Sequence, residues 1–396
     1  MDDKTLAQVL EQFPTPFYLF DEGELHNRIE HLRSLLPARA EICYAMKANS
    51  FILEQAARDT DRIEACSPGE VRTCQALGIP DEKIVVSGVY KDPAFIHQLV
   101  AEHPGIARYT AESPTQFDLL EEAAHEASRT IPVLLRLTGG NQFGMDGADL
   151  KVLAARCMDN HAIDLRGIQY FAGTQKTSAK RLGRELAEVD RFIAEVESEC
   201  GVHIDELEYG PGLPVLYFDE EDEADQKQDE LARTLTELLD GMAFQGHLSL
   251  ELGRSIAASC GTYVTRIVDA KCNAGYNFAI VDGGKHQITY YGNALATKQP
   301  PVRLVGGRED AEPESWNICG ALCTTTDLLV KQIDLREPHI GDLLVFERAG
   351  AYCTTEGIAL FLSRDLPSVI LRDESGTLHL ARPRVETHPL NTPCAH

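Results

Sequence analysis

Three residue types stand where short apolar runs end, and together they could do covalent chemistry. Lys47 closes "EICYAMK" (41–47) and is followed at once by the small polar turn Ala48-Asn49-Ser50. A lysine drawn out of water gives up its proton more readily, and its amine then forms a Schiff base with an aldehyde. On position alone, the favoured reading of Lys47 is a surface lysine lying along an apolar wall with its head in water. Gly210 and Gly212 stand in "YGPGLP", and Gly253 precedes Arg254 in "ELGR". Glycines at such turns let backbone N–H groups close on a phosphate, although each alone is also an ordinary turn. Glu251 ends the apolar run "LSLEL". A carboxylate there needs a partner, which a protonated ring nitrogen or Arg254 would supply.

These residues need elements to carry them. The β-rich segments 41–47, 62–67, 83–88, 106–111, 132–137, 166–173, 206–210 and 247–253 alternate with helix-like segments such as 68–78, 113–128, 179–200 and 229–243. Strand-helix repetition of this kind predicts a parallel sheet. About eight repeats over ~215 residues fit an α/β fold of the (β/α)8 (TIM) barrel type, whose catalytic groups sit at the C-terminal strand ends. Lys47 then ends the first strand, Gly210 and Gly212 follow the seventh, and Glu251, Gly253 and Arg254 end the eighth. A doubly wound open sheet is the alternative, but no G-x-G-x-x-G follows an early strand.

After about residue 255 the rhythm changes. "TYVTRIVDAKC", "NFAIVDGG", "QITYYG", "VRLVGG", "DLLVFERAGAY" and "SVILRDESG" read as strands without long helices between them, which predicts an all-β domain. "TPFYLFDEGEL" (15–25) also has strand character. The expected organisation is therefore an N-terminal segment, 1–30, joining the β domain; a barrel over 31–255; and a C-terminal β-sandwich or β-barrel domain over 256–396.

Composition limits the partners. The 396 residues are 43% hydrophobic and 25% charged, with a net charge of −25. That charge argues against nucleic acid or an anionic membrane as partner, and repels an acidic carrier protein unless a local basic patch exists. No apolar stretch approaches the roughly 18 residues a membrane-spanning helix needs. The acidic start lacks a secretory signal pattern. The eleven cysteines include no C-x-x-C pair, so no metal site is expected, and reduced thiols in the cytoplasm are the simplest reading. The acidic run 218–230 reads as a solvated loop and helix start.

A lysine for a Schiff base, glycine loops for a phosphate and a carboxylate for a pyridine nitrogen together describe a site for pyridoxal 5′-phosphate (PLP). The chain resembles the fold-type III PLP enzymes, the group of alanine racemase and of the ornithine and diaminopimelate decarboxylases. The resemblance runs from "YAMKAN" (44–49) through "EACSPGE", "YFAGTQ", Gly210-Pro211-Gly212 and Glu251-Leu252-Gly253-Arg254 to "GALCTTTD" and "GAY". It implies that Lys47 forms the internal aldimine and that Glu251 keeps the ring nitrogen protonated. It implies that Gly210, Gly212, Gly253, Arg254 and Tyr352 hold the phosphate, with Gly173 and Thr174 nearby, and that Arg136 lies close to the ring. Cys323 and Asp327 would enter from the other subunit of a homodimer, Cys323 as proton donor near the substrate Cα. Packing alone is the competing role for Cys323 and for Tyr352.

Glu251 with Cys323 points to decarboxylation through a quinonoid carbanion. The racemases instead pair the ring nitrogen with arginine. Two departures from the family pattern bear on the substrate. Phe171 replaces the ring-stacking histidine, keeping an aromatic face without a hydrogen-bond donor. Thr324 replaces the Asp or Glu that faces the distal ammonium of diamino acids, which makes a simple diamino acid less favoured. "LCTTTD" and "GTQK" resemble the branch serving siderophore and antibiotic pathways, whose substrates include citryl conjugates and carrier-linked glutamyl groups. The expectation is a homodimeric, cytoplasmic decarboxylase of an L-amino acid or amino-acid conjugate in secondary-metabolite biosynthesis. The alternatives are a diaminopimelate, ornithine or lysine decarboxylase of primary metabolism, an amino-acid racemase, and a non-catalytic PLP-binding regulator.

Overall fold

The computed structural model describes residues 1–219, 221–308 and 310–394. The chain divides into two compact units, one of Met1–Leu25, Leu216–Glu221 and Ala257–His396, the other of His26–Val215 and Asp222–Ile256. The division at Leu25 falls inside the helix Glu22–Leu35, a few residues before position 30. The short segment Leu216–Glu221 returns to the first unit in the middle of the chain.

After β1 (Phe17–Asp21) come eight strands: β2 (Ala40–Ala45), β3 (Arg62–Ala65), β4 (Ile84–Val86), β5 (Arg108–Ala111), β6 (Ile131–Leu137), β7 (Ile163–Phe171), β8 (Glu206–Gly210) and β9 (His247–Leu252). They are parallel throughout and β9 pairs with β2, so the barrel closes. The helices between them start on sequence signals. Ser67, Asp92 and Ser113 each accept a hydrogen bond from a backbone N–H three residues on, and each is followed by proline at the first helical position. The helix Ala179–Cys200 buries Leu182, Leu186, Val189, Ile193 and Val196 at helical spacing and ends on Gly201 in the left-handed conformation. Caps so close to β3 and β5 fix where those strand ends point.

The other unit holds a nine-stranded sheet. Its strands after β1 are β10 (Gly261–Asn273), β11 (Tyr276–Val281), β12 (Val302–Val305), β13 (Pro313–Cys319), β14 (Leu328–Arg336), β15 (Leu343–Phe346), β16 (Ser368–Arg372) and β17 (Leu378–Arg382). β1 lies inside this sheet, antiparallel to β10 and parallel to β16, so the N-terminal segment belongs to the β domain. The helix Asp3–Leu10 packs Leu6 and Val9 against Phe17, Leu19, Val264, Val345 and Ile370. Each such fully buried side chain contributes roughly 1.5–3 kcal/mol relative to exposure.

One expected strand is absent. "QITYYG" (287–292) forms turns: Gln287 and Ile288 N–H both donate to Gly284 O, and Asn293 N–H donates to Tyr290 O. Local turn bonds take the donors that a ladder needs. Conversely, β13, β14 and β17 lie outside the segments the sequence marks. β13 and β14 flank "GALCTTTD" and pair with each other across it.

Candidate active site

Strand β2 ends at Ala45, two residues before Lys47, and the chain then makes one 3-10 turn over Met46–Ala48. Asn49 fixes the exit: its side chain accepts from Phe51 N–H at 3.0 Å, and its carbonyl accepts from Tyr44 OH at 2.9 Å. The turn lies at the barrel's C-terminal mouth. Lys47 Nζ donates to Glu251 Oε1 at 3.0 Å, to Glu64 Oε2, and lies 3.6 Å from Cys66 Sγ. The lysine side chain is 38% exposed, whereas those of Glu64 and Glu251 are 2% and 9% exposed. The ammonium is thus partly exposed yet seated on two buried carboxylates. Burial alone would push the Glu64 carboxyl up, but the Lys47 charge and hydrogen bond hold it below the ordinary value. Burial, followed by the Glu64 charge, pushes Glu251 up to about 7.

The glycine loops meet at the ends of β7 and β8. Gly212 has φ +63°, and a Cβ there would stand 2.1 Å from Gly173 O, so the two backbones touch only because neither carries a side chain. Lys176 N–H donates to Gly212 O at 3.0 Å and stitches the loops together, with Thr174 exposed between. Gly210 serves the neighbouring ring: a Cβ there would meet Phe171 Cδ2 at 2.5 Å. After β9, Gly253 leads into buried Arg254, which opens the single helical turn Arg254–Ala257.

Arg136 on β6 is buried and donates to Glu112 Oε1 at 3.1 Å, while Glu112 Oε2 accepts from Gly144 N–H at 3.2 Å. The guanidinium lies 4.9 Å from the Phe143 ring centre and 6.0 Å from that of Phe171. Its Nε has no protein partner among the described residues. The barrel unit therefore brings Lys47, Arg136, Phe171, Gly173, Thr174, Gly210, Gly212, Glu251, Gly253 and Arg254 to one end of the barrel.

Sequence reasoning missed Glu64, Glu112 and Glu208. The signal was present. Arg62 and Glu64, and again Glu206 and Glu208, are charged residues two apart within strands whose burial is complete. Period-two charge on a buried strand places both on one face and demands internal partners. At the floor, Glu206 takes Arg62 and Arg108, the latter with Nε at 2.8 Å.

The remaining candidates lie in the β unit. Cys323 is exposed, so core packing does not explain it. Thr324 and Thr326 hydroxyls hydrogen-bond each other at 3.0 Å. Asp327, expected to line the substrate, is 3% exposed. Its oxygens accept from Lys285 N–H at 2.8 Å and Leu322 N–H at 2.7 Å, so this carboxylate shapes the loop from inside. Tyr352 takes φ +65°, a strained conformation for a non-glycine residue, and its carbonyl accepts from Thr355 N–H at 2.9 Å.

The residues present fit PLP. An amine stands between acids one of which is pushed toward neutrality, two loops are bare of side chains where they meet, and a buried guanidinium keeps an N–H to give. A closed parallel barrel with such a lysine at its mouth, in a chain that also folds a β domain taking in the N-terminus, defines the fold-type III class of PLP enzymes. Comparison with known proteins agrees. Residues 22–258 match the family described as pyridoxal-dependent decarboxylase, pyridoxal binding domain. The L-glutamyl-[BtrI acyl-carrier protein] decarboxylase of Niallia circulans is 27% identical over 96% of this chain and 94% of its own. The diaminopimelate decarboxylase of Pseudomonas aeruginosa is 30% identical over 88% of this chain and 85% of its own. The crystal structure of Helicobacter pylori diaminopimelate decarboxylase with L-lysine superposes with a TM-score of 0.85 at 22% identity, covering 97% of this chain and 98% of that one. The chain belongs to the pyridoxal-dependent decarboxylases, and its cofactor is pyridoxal 5′-phosphate. No helix among the described residues is long and apolar enough to cross a membrane.

Proposed function

We propose that this decarboxylase removes the α-carboxylate from an L-amino-acid group whose side chain is conjugated or otherwise carries no free distal ammonium. The observation that carries this is the loop 320–327. Its one carboxylate, Asp327, is engaged by two backbone N–H groups, and Thr324 offers a hydroxyl where diamino-acid decarboxylases offer an acid. An ammonium brought to that loop would lose water and gain no counter-charge. The similarity to a carrier-linked glutamyl decarboxylase over nearly the whole chain supports the same reading. A role in siderophore or other secondary-metabolite biosynthesis follows from it.

When bound, PLP supplies an aldehyde for amines and an electron sink for the charge left as CO2 departs. Lys47 would hold the cofactor by its amine. Glu251 would hold a proton at the ring nitrogen. Gly173, Thr174, Gly210, Gly212, Gly253 and Arg254, together with Tyr352, would take the phosphate, with Phe171 and Arg136 offering the ring an aromatic face and an N–H. Cys323 of a second copy is the acid that returns a proton to Cα, which makes the working form a homodimer. Its eleven cysteines are free thiols, in keeping with a cytoplasmic enzyme.

A second reading, diaminopimelate decarboxylation, is favoured by the 30% identity to the Pseudomonas aeruginosa enzyme. Release of CO2 from a panel decides between them. The panel includes glutamyl-carrier and citryl-linked amino acids, diaminopimelate, ornithine and lysine. Turnover confined to the conjugates supports the first reading; preferred turnover of a diamino acid overturns it.

A further inference from the structure

Below the Lys47 cluster the barrel interior carries a belt of polar side chains that the reaction has not yet used. Gln169 on β7, Glu208 on β8 and Ser249 on β9 are register neighbours, Gln169 beside Glu208 and Glu208 beside Ser249, and none is exposed at all. Gln169 Nε2 donates to Glu208 Oε1 at 2.5 Å and reaches Ser87 Oγ at 3.4 Å, which in turn meets Thr110 Oγ1 at 3.1 Å. Three atoms are left over. Gln169 Oε1, Glu208 Oε2 and Ser249 Oγ have no protein partner among the described residues. Buried polar atoms without partners are rare and costly, and three on register neighbours of adjoining strands are the number a buried water commonly bonds.

The groups acting on Glu208 lie on several strands: Glu251 on β9, Glu64 and Arg62 on β3, Cys43 on β2 and Glu206 on β8 itself. Arg62 and Arg108 are engaged by Glu206 at the floor, and Lys47 by Glu64 and Glu251 at the mouth. No cation pairs with Glu208 among the described residues.

We propose that Gln169, Glu208 and Ser249 form a buried water-binding site beneath Glu251, and that Glu208 is a positioning residue which keeps its own proton there. Burial, and after it the charges of Glu251, Glu206 and Glu64, push its carboxyl up from 4.5 to about 8. The protonated acid donates through Oε2 to the water, which satisfies Gln169 Oε1 and Ser249 Oγ. Held neutral, Glu208 adds no third negative charge beside Glu64 and Glu251, so Glu251 is free to ionise against a protonated ring nitrogen. This last consequence rests on the proposed role of Glu251; the water site and the proton do not.

Infrared difference spectra of the holoenzyme and its Glu208→Gln variant at pH 7, in H2O and D2O, test the proton directly. The wild type should show a protonated-carboxyl stretch that moves in D2O and is lost in the variant; a folded variant with no such difference overturns the proposal. Unfolding of both proteins across pH gives a second reading. Between pH 4.5 and about 8 the unfolded chain has released this proton and the folded chain has not. The wild type should therefore lose stability relative to Glu208→Gln as pH rises through that window, with a constant gap above it. A gap independent of pH contradicts the proposal. Should Glu208→Gln fail to fold, Ser249→Ala keeps the carboxyl and alters the water seat: the band should persist and shift, and an unmoved band overturns the water site. None of these readings depends on turnover, so they fail or succeed separately from the assigned substrate.

Discussion

Replacing Gly212 by alanine should loosen the grip on PLP while leaving the barrel standing. Two penalties are separable. The residue sits at φ +63°, where a Cβ costs roughly 1–2 kcal/mol. The new Cβ would stand 2.1 Å from Gly173 O, so the loops must part, and the Lys176 N–H to Gly212 O bond of 3.0 Å goes with them. Losing that bond costs about 1 kcal/mol more. Together these give about 2.5 kcal/mol against the binding-competent loop, or roughly 60-fold weaker cofactor affinity at ~1.4 kcal/mol per decade. The residual crowding only adds to it. Titration of the cofactor-stripped protein with PLP, followed at the visible absorbance band, reads the change. Gly78→Ala is the control: Gly78 has φ +68° but nothing within 4 Å of an added Cβ. It should lose only the backbone share of that stability and bind PLP unchanged. If Gly212→Ala binds PLP within threefold of wild type, these loops do not cradle the phosphate.

Three further substitutions separate the roles assigned to other residues. Cys323→Ala should slow turnover at least tenfold or misdirect protonation at Cα without altering PLP affinity; normal turnover and product would return Cys323 to a structural role. Thr324→Asp should raise kcat/KM for ornithine or lysine relative to the conjugated substrate, and no change in that ratio would remove Thr324 from side-chain recognition. Glu206→Gln takes the counter-charge from Arg108 and, among the described residues, leaves Arg62 only Glu41, at 3.0 Å. It should cost about 3–5 kcal/mol in urea unfolding while PLP affinity is retained. Equal losses in both would mean that floor and mouth are not independent.

Much of the barrel was legible because its signals are local. Most strands are short apolar runs and several helices open on a Ser or Asp cap, often with proline behind it, so order and type follow from neighbours in the chain. Lys47 and Glu251 were legible for a related reason: a charged residue closing an apolar run is an anomaly visible in one dimension. The acids that surround them were harder. Glu64 and Glu208 look like ordinary strand residues until the barrel closes and turns both inward, and their partners lie on other strands. The β domain hid more. β13 and β14 are joined through "GALCTTTD", whose functional look obscured its place between paired strands. "QITYYG" has β-favouring residues, yet Gly284 accepts two turn bonds and bends it. Asp327 shows the limit of motif reading, since its carboxylate accepts from two backbone N–H groups of its own surroundings.

The central claim is that Lys47 is the amine that holds the cofactor. Borohydride reduction of the holoenzyme, followed by peptide mass mapping, tests it in one step. The phosphopyridoxyl mass should appear on the peptide carrying Lys47 and vanish in Lys47→Ala. The same mass on another lysine, such as the buried Lys91 at the mouth of the same barrel, would contradict the account.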